Sequence, residues 1–210
     1  EWNDNPNSPT YGMTNGDYVG MHKYSPIAIE EQGFYFAAII IGVERGWISR
    51  EAGEKRIIIT LNTLRNLKRI HGFWYHFIDP DTGKRGWNDS HNIELSNASA
   101  GTMVLGALAA AEYFGGEIKK LTNEIYREMN WKWFTSPKTK HPYLACYPED
   151  LPDKVPQGIT EEGMFGGWSA YSEHIFLYIL AAGTPNEDFS TGPDSYYAMR
   201  TYKGRYKGEE

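Results

Sequence analysis

Cysteine is almost missing from this chain: one residue, Cys146, stands among 210. A single thiol excludes an internal disulfide framework and a multi-cysteine metal site. Its neighbours in Tyr-Leu-Ala-Cys-Tyr-Pro are mostly apolar, so a buried, inert thiol is expected. Long hydrophobic runs are missing too. The most apolar stretches, 34–43 and 103–111, hold about ten residues against the roughly twenty that a membrane-spanning helix needs. Positive charge is in deficit, with a formal net charge of -6. That argues against a nucleic-acid partner, which requires a basic stripe. Signature motifs are absent as well. Ser49, Ser90 and Ser99 have no Gly-x-Ser-x-Gly context, and there is no phosphate loop or dinucleotide fingerprint. The histidines show no ligand spacing: His71 and His76 flank an aromatic turn, and His22, His91, His141 and His174 stand alone. Neither a metal nor another cofactor is therefore expected.

What the chain does have is aromatic mass. Apolar residues make up 40% and aromatics 15%, including 7 Trp and 15 Tyr. A packed core is affordable and disorder is disfavoured. Two readings of the surplus are open. Trp and Tyr line sugar clefts, where a flat ring stacks on C–H faces, and they also fill gaps between helices.

Residues 1–24, rich in Asn, Gly, Pro and Tyr, read as an irregular arm. A helical domain is expected over 25–185 and a polar, Tyr-rich tail over 186–210. Ser25-Pro26 looks like a helix start, with Glu30 and Glu31 in the early turns where the dipole favours anions. Ile27, Phe34, Ala37, Ala38 and Ile41 then recur at helical spacing up to Gly46. Ser49 caps a second helix, which carries Ile57, Ile58, Leu61, Leu64 and Leu67 to His71-Gly72. The aromatic run from Phe73 turns at Asp79-Pro-Asp-Thr-Gly83 as a hairpin or extended loop. A third helix is expected over about 98–114, a fourth over 116–130 and a fifth over 169–182. The proline-punctuated segment 131–167 reads as loop. Helices joined by short turns, with no strand series, indicate an all-α fold of stacked helical hairpins.

Glycosidic-bond hydrolysis needs two carboxylates, one of them able to hold a proton near neutral pH. Asp89 and Glu94 precede the third helix, and Glu173 is expected in the first turn of the fifth. For each, the plainer role is to suit a helix start. Glu94, however, is flanked by Trp87, Asn88, His91 and Asn92, side chains suited to sugars. Glu173 follows Gly166-Gly-Trp-Ser-Ala-Tyr, where two glycines let the backbone and Trp168 approach a ligand. Asn88 and Asn97 sit in glycosylation sequons, which matter only in a eukaryotic source.

Several stretches in order resemble bacterial glucoamylase-like proteins, the group that includes the endo-β-1,2-glucanases of glycoside hydrolase family 144. They are Ser25-Pro-Ile-Ala-Ile-Glu-Glu-Gln-Gly-Phe, Ile41-Gly-Val-Glu-Arg-Gly-Trp-Ile-Ser-Arg-Glu-Ala, and His71 through Arg85. Glu94-Leu-Ser, Leu105 through Phe114, Ile125 through Trp133, Gly167-Trp-Ser-Ala-Tyr-Ser-Glu and Leu180-Ala-Ala-Gly-Thr-Pro continue the series. The resemblance implies an (α/α)6 toroid, a secreted or periplasmic setting and cofactor-free, acid-assisted hydrolysis of β-glucan or oligosaccharide. It implies catalytic roles for Glu94 and Glu173, and aromatic cleft positions at Tyr75, His76, Trp168 and Tyr171. Ser99 stands where the family has an Asp, and Ser cannot act as a general acid near neutral pH. The chain is also shorter than a whole toroid, and so looks like the front part of such a domain, a truncated relative or a repurposed one. Its start at Glu1, without Met or a signal-like apolar core, reads as processed or cut from a precursor.

Substrate contacts are accordingly expected from Tyr75, His76, Trp87, Asp89, His91, Ser99, Trp168 and Tyr171. The expected partner is a polysaccharide or oligosaccharide. The alternative is a catalytically inactive carbohydrate-binding or fibre-forming relative that self-associates through its Tyr-rich arm and tail.

Overall fold

The computed structural model describes residues 2–15, 25–86 and 92–201. Among them are six helices: α1 (Ile29–Glu44), α2 (Arg50–Asn66), α3 (Asn97–Phe114), α4 (Gly116–Arg127), α5 (Ile175–Gly183) and the short α6 (Asp194–Tyr197). Five two-residue strands serve as clips between them: β1 (Ile27–Ala28), β2 (Phe77–Ile78), β3 (Leu95–Ser96), β4 (Ala145–Cys146) and β5 (Met164–Phe165). The class is all-α, as the periodicity indicates. The strands are too short to announce themselves by alternation.

The helices form two rows. α1 packs on α3 and α3 on α5, while α2 packs on α4 behind them, and α1–α2 and α3–α4 are hairpins. This is an arc of stacked α-hairpins. α3 carries so many small residues because it sits between neighbours, with Ala100, Met103, Val104, Ala107, Ala110 and Ala111 all buried. Its crossing with α1 is made by two glycines. A Cβ on Gly106 would lie 2.2 Å from the Gly33 carbonyl oxygen, and one on Gly33 would lie 2.3 Å from that of Thr102. Only a missing side chain lets the two backbones approach this closely.

Several boundaries differ from the sequence reading, each for a reason of backbone pairing. α1 begins at Ile29 rather than at Pro26, because Ile27 and Ala28 pair with Ile78 and Phe77. Its core face is also rotated. Ile29, Gln32, Gly33, Phe36, Ile39 and Gly42 are buried, whereas Phe34 is 67% and Ile41 52% exposed. The close Gly33–Gly106 crossing sets that rotation. α2 starts on the Ser49 cap, whose Oγ accepts from the Ala52 N–H at 3.1 Å. It stops at Asn66 rather than near His71, since Leu67 is extended and Ile70 bridges Phe73. α4 ends at Arg127, short of 130, where the Asn130 N–H turns to the His71 carbonyl. α5 begins at Ile175, not at 169. The preceding backbone is engaged elsewhere: the Trp168 N–H binds the Pro142 carbonyl and Ala170 bridges Arg200.

The aromatic surplus divides. Trp74 and Trp131 are fully buried, with Phe73 edge-on to Trp131 at 5.2 Å and to Phe134 at 4.8 Å. The Trp74 indole N–H donates to the Leu64 carbonyl at 2.9 Å. These rings are core. Residues 2–15 are held against the helices: Met13 is buried, the Thr63 hydroxyl donates to the Tyr11 carbonyl, and Gln32 bonds both backbone groups of Thr14. Cys146 is buried as well, and burial followed by the nearby Glu162 charge pushes its thiol up to about 12, an unreactive state.

Candidate active site

The clips create the site. The His76 N–H donates to the Glu94 carbonyl at 2.8 Å, and the His76 carbonyl accepts from the Ile29 N–H at 3.2 Å. One short segment is thus stitched to the chain leading into α3 on one side and to the start of α1 on the other. The side chains beside those bonds meet. The two ring nitrogens of His76 reach Glu94 Oε1 at 2.8 Å (Nδ1) and Glu30 Oε1 at 3.1 Å (Nε2). The ring also lies flat on Phe77 at 4.0 Å.

Burial works against every charge in this cluster, and the pairing outweighs it. For His76, desolvation lowers the pKa, but the hydrogen bonds and charges of Glu30 and Glu94 raise it to about 9. For both glutamates, burial raises the pKa and contact with His76 more than offsets this, leaving each below the ordinary carboxylate range. At neutral pH the arrangement is therefore an imidazolium donating from both nitrogens to two carboxylates. Its formal charge is one negative. Glu30 Oε2 is buried without a hydrogen-bond partner, so one strong acceptor in the cluster is unfilled.

Around this centre the predicted residues sort by position. Ser99 is buried in the first turn of α3. Its N–H and Oγ lie 3.1 and 3.0 Å from the Oγ of Ser96, the N-cap, and its hydroxyl also helps hold Glu30 ionised. Glu94 therefore does not cap α3; Ser96 does. Trp168 joins from the other side, half-buried, with its indole N–H on Asn97 Oδ1 at 3.3 Å and its ring on that of His174 at 3.6 Å. Asn97 opens α3, three residues from Glu94. Tyr75, by strand alternation, points away from His76. It is fully buried under the Arg85 guanidinium, with its hydroxyl donating to Glu149 at 2.6 Å. Tyr171 is exposed, and the Glu173 side chain is 82% exposed, its carboxylate 3.5 Å from His174 Nδ1. Trp87, Asp89 and His91 lie outside the described residues.

Two residues that sequence reasoning did not mark belong here. Glu30 was visible only as a helix-start acid, and nothing local ties it to a histidine 46 positions away. Tyr147 falls opposite Glu94 because β3 and β4 pair with Leu95 facing Cys146. Its hydroxyl donates to the Asn92 carbonyl at 3.3 Å, and burial, then the Glu94 charge, raises its pKa. Among the described residues no cluster of three or more His, Cys, Asp or Glu could hold a metal ion, and no helix is long and apolar enough to cross a membrane.

Chemically, the cluster offers an ionised carboxylate, Glu94, oriented by a fixed cation and placed near an aromatic ring. Such a carboxylate can accept a proton from water or a hydroxyl.

Comparison with known proteins agrees with this architecture. No family model matches the sequence. The exo β-1,2-glucooligosaccharide sophorohydrolase (non-reducing end) of Parabacteroides distasonis is 31% identical over 211 residues, which span 96% of this chain and 27% of that protein. The solved β-1,2-glucanase of the same organism superposes with a TM-score of 0.65 at 27% identity, over 83% of this chain and 24% of that one. The endo-β-1,2-glucanase of Chitinophaga pinensis, solved with sophorotriose and glucose, shares the fold with a TM-score of 0.68 at 24% identity, over 87% of this chain and 42% of its own. The helical arc is thus a partial toroid of that type. This chain is similar, over less than half of their length, to bacterial glucoamylase-like proteins of the glycoside hydrolase family 144 kind.

Proposed function

We propose that this chain is a glycoside hydrolase-like protein acting on β-glucan or a related oligosaccharide, with Glu94 as its working carboxylate. The observation that carries this reading is the Glu30–His76–Glu94 cluster at the start of α1 and α3. It stands in a chain similar to a sophorohydrolase over 96% of its length. Glu94, held ionised, would accept the proton of an attacking water. Trp168 would supply a sugar platform, and Glu173, open to solvent next to His174, would need a bound sugar to shield it before it could donate a proton to the leaving oxygen. The proposed setting is secreted or periplasmic.

The test is reducing-sugar release from β-1,2-, β-1,3- and β-1,4-glucans by the chain and by Glu94→Gln. Release from the β-1,2-glucan that falls at least 100-fold in the variant supports the proposal. No release from any glucan overturns it.

One feature favours a second reading, a carbohydrate-binding relative without turnover. Glu30 and Glu94 are both held in the charged state by His76, and Ser99 occupies the position of an expected acid. Neither clamped carboxyl is set up to donate a proton. Saccharide binding by calorimetry that weakens in Trp168→Ala, with no sugar released, would select this reading.

A further inference from the structure

A cavity away from this cluster lies past the C-terminal end of α5. It has a volume of about 630 Å³, within the range of small-ligand sites. Its wall joins the loop after α4 to the segment between α5 and α6, through Lys132, Ser136, Lys140, Thr184, Glu187 and Thr191 among others. The two sides are tied together at the backbone. The Lys132 N–H donates to the Phe189 carbonyl at 2.9 Å, and the Ser195 hydroxyl donates to the Lys140 carbonyl at 2.5 Å. This is a built cavity rather than a gap between loose loops.

Its chemistry is distinctive in three ways. Two exposed lysines line it in a protein of net charge -6, and neither ammonium has an ion-pair partner among the described residues. Thr184 is only 7% exposed, yet its hydroxyl has no hydrogen-bond partner. Unpaired buried hydroxyls are rare in folded chains, because each costs about 1–3 kcal/mol when left unmet. Lastly, Glu187 adds a carboxylate to the same wall, whereas the Leu180, Ala181 and Ala182 carbonyls ending α5 already accept from Tyr126, Thr191 and Ser190. Two cations suit one negative group, and mixed Ser, Thr and Glu donors and acceptors suit hydroxyls. No Trp or Tyr lines the wall, so stacking is not the basis of recognition.

We propose that this cavity binds an acidic saccharide, a sugar-sized ligand bearing one carboxylate or phosphate. Lys132 and Lys140 hold the negative group, and Glu187 takes a sugar hydroxyl. The site is separate from the Glu30–His76–Glu94 cluster and does not depend on hydrolysis.

The test is calorimetric titration of the full chain with glucuronate, glucose 6-phosphate, glucose and inorganic phosphate. At least one acidic sugar should bind tenfold or more tightly than glucose, with carboxylate or phosphate decided by which of the two it is. In the double variant Lys132→Ala/Lys140→Ala that preference should fall about tenfold, consistent with charge-assisted hydrogen bonds. Both lysines are exposed, so the variant should keep the parent melting temperature. Glu94→Gln should bind as the parent does, which separates this site from the proposed hydrolytic one. Equal affinity for glucose and the acidic sugars, no binding at all, or a double variant indistinguishable from the parent each overturns the proposal. Inorganic phosphate binding as tightly as glucose 6-phosphate overturns its saccharide part.

Discussion

The approaches to α3 and α5 look alike in sequence, and the fold treats them in opposite ways. Each places a glutamate shortly before a helix, with aromatic and small residues nearby. Glu94 ends up three-quarters buried, its carboxylate on an imidazolium supplied by the distant segment just before β2. Glu173 ends up in solvent in a turn before α5, with His174 beside it. The difference is not in the local residues. It comes from what the backbone pairs with: residues 94–96 are clipped to Tyr75 and to β4, whereas 168–171 pair with Pro142 and Arg200 and leave the following turn outside. A helix-start carboxylate acquires a site when a non-local segment delivers a cation to it.

That contrast can be broken by experiment. The largest effect expected is on turnover. Glu94→Gln should lower sugar release from the preferred glucan 100-fold or more, since positioned proton transfer contributes about 10²–10⁴. It should also lower the unfolding midpoint in urea. A fall in stability with release unchanged would reduce Glu94 to a structural ion pair.

His76→Phe comes next, by removing the cation between two part-buried carboxylates. Breaking a fully buried pair costs about 3–5 kcal/mol; with roughly a quarter of these side chains exposed, about 2 kcal/mol is expected in urea unfolding. An unchanged midpoint would show that the cluster is not held together by charge.

The pH dependence should follow from the same groups. His76 is raised, so its contribution is complete below about 6.5, the unfolded value, and is lost as pH climbs through about 9. Glu30 and Glu94 are lowered, so theirs is complete above about 4.5 and is lost as pH falls through their depressed values. Stability from the cluster should therefore be greatest between roughly pH 4.5 and 6.5. The drop toward pH 9 should be absent in His76→Phe, as thermal melts across the range would report.

The smallest effect is the counterpart on the other side. Glu173→Gln should leave stability within about 0.5 kcal/mol, as surface substitutions do, whatever it does to sugar release. A destabilisation comparable to that of Glu94→Gln would erase the distinction between the two approaches.

How much of this was legible without coordinates depends on the range of the interaction involved. The Ser49 cap, the Gly46 break and the starts of α2 and α4 are local, and the structure has them where the sequence puts them. The start of α5 was misplaced because Trp168 and Ala170 spend their backbone groups on Pro142 and Arg200, which no window of neighbouring residues reveals. Phe34 and Ile41 were assigned to the buried face on hydrophobicity alone. The α1 face that packs is instead the one bearing Gly33, because close backbone approach to Gly106 outweighs the apolar area of a single Phe.

By itself, then, the sequence determined the all-α class, the number and order of the main helices, the inert Cys146 and the ordered likeness to glucoamylase-like proteins. The first three rest on periodicity, capping and composition, which act within a few residues, and the likeness rests on short motifs that resemble the family in order. The tertiary structure alone decided that Glu30 joins Glu94, that His76 is their shared cation, that Tyr75 turns inward and that Tyr147 faces the site. Those outcomes depend on pairings between segments far apart in the chain, and the burial that shifts each charge exists only once the segments have met.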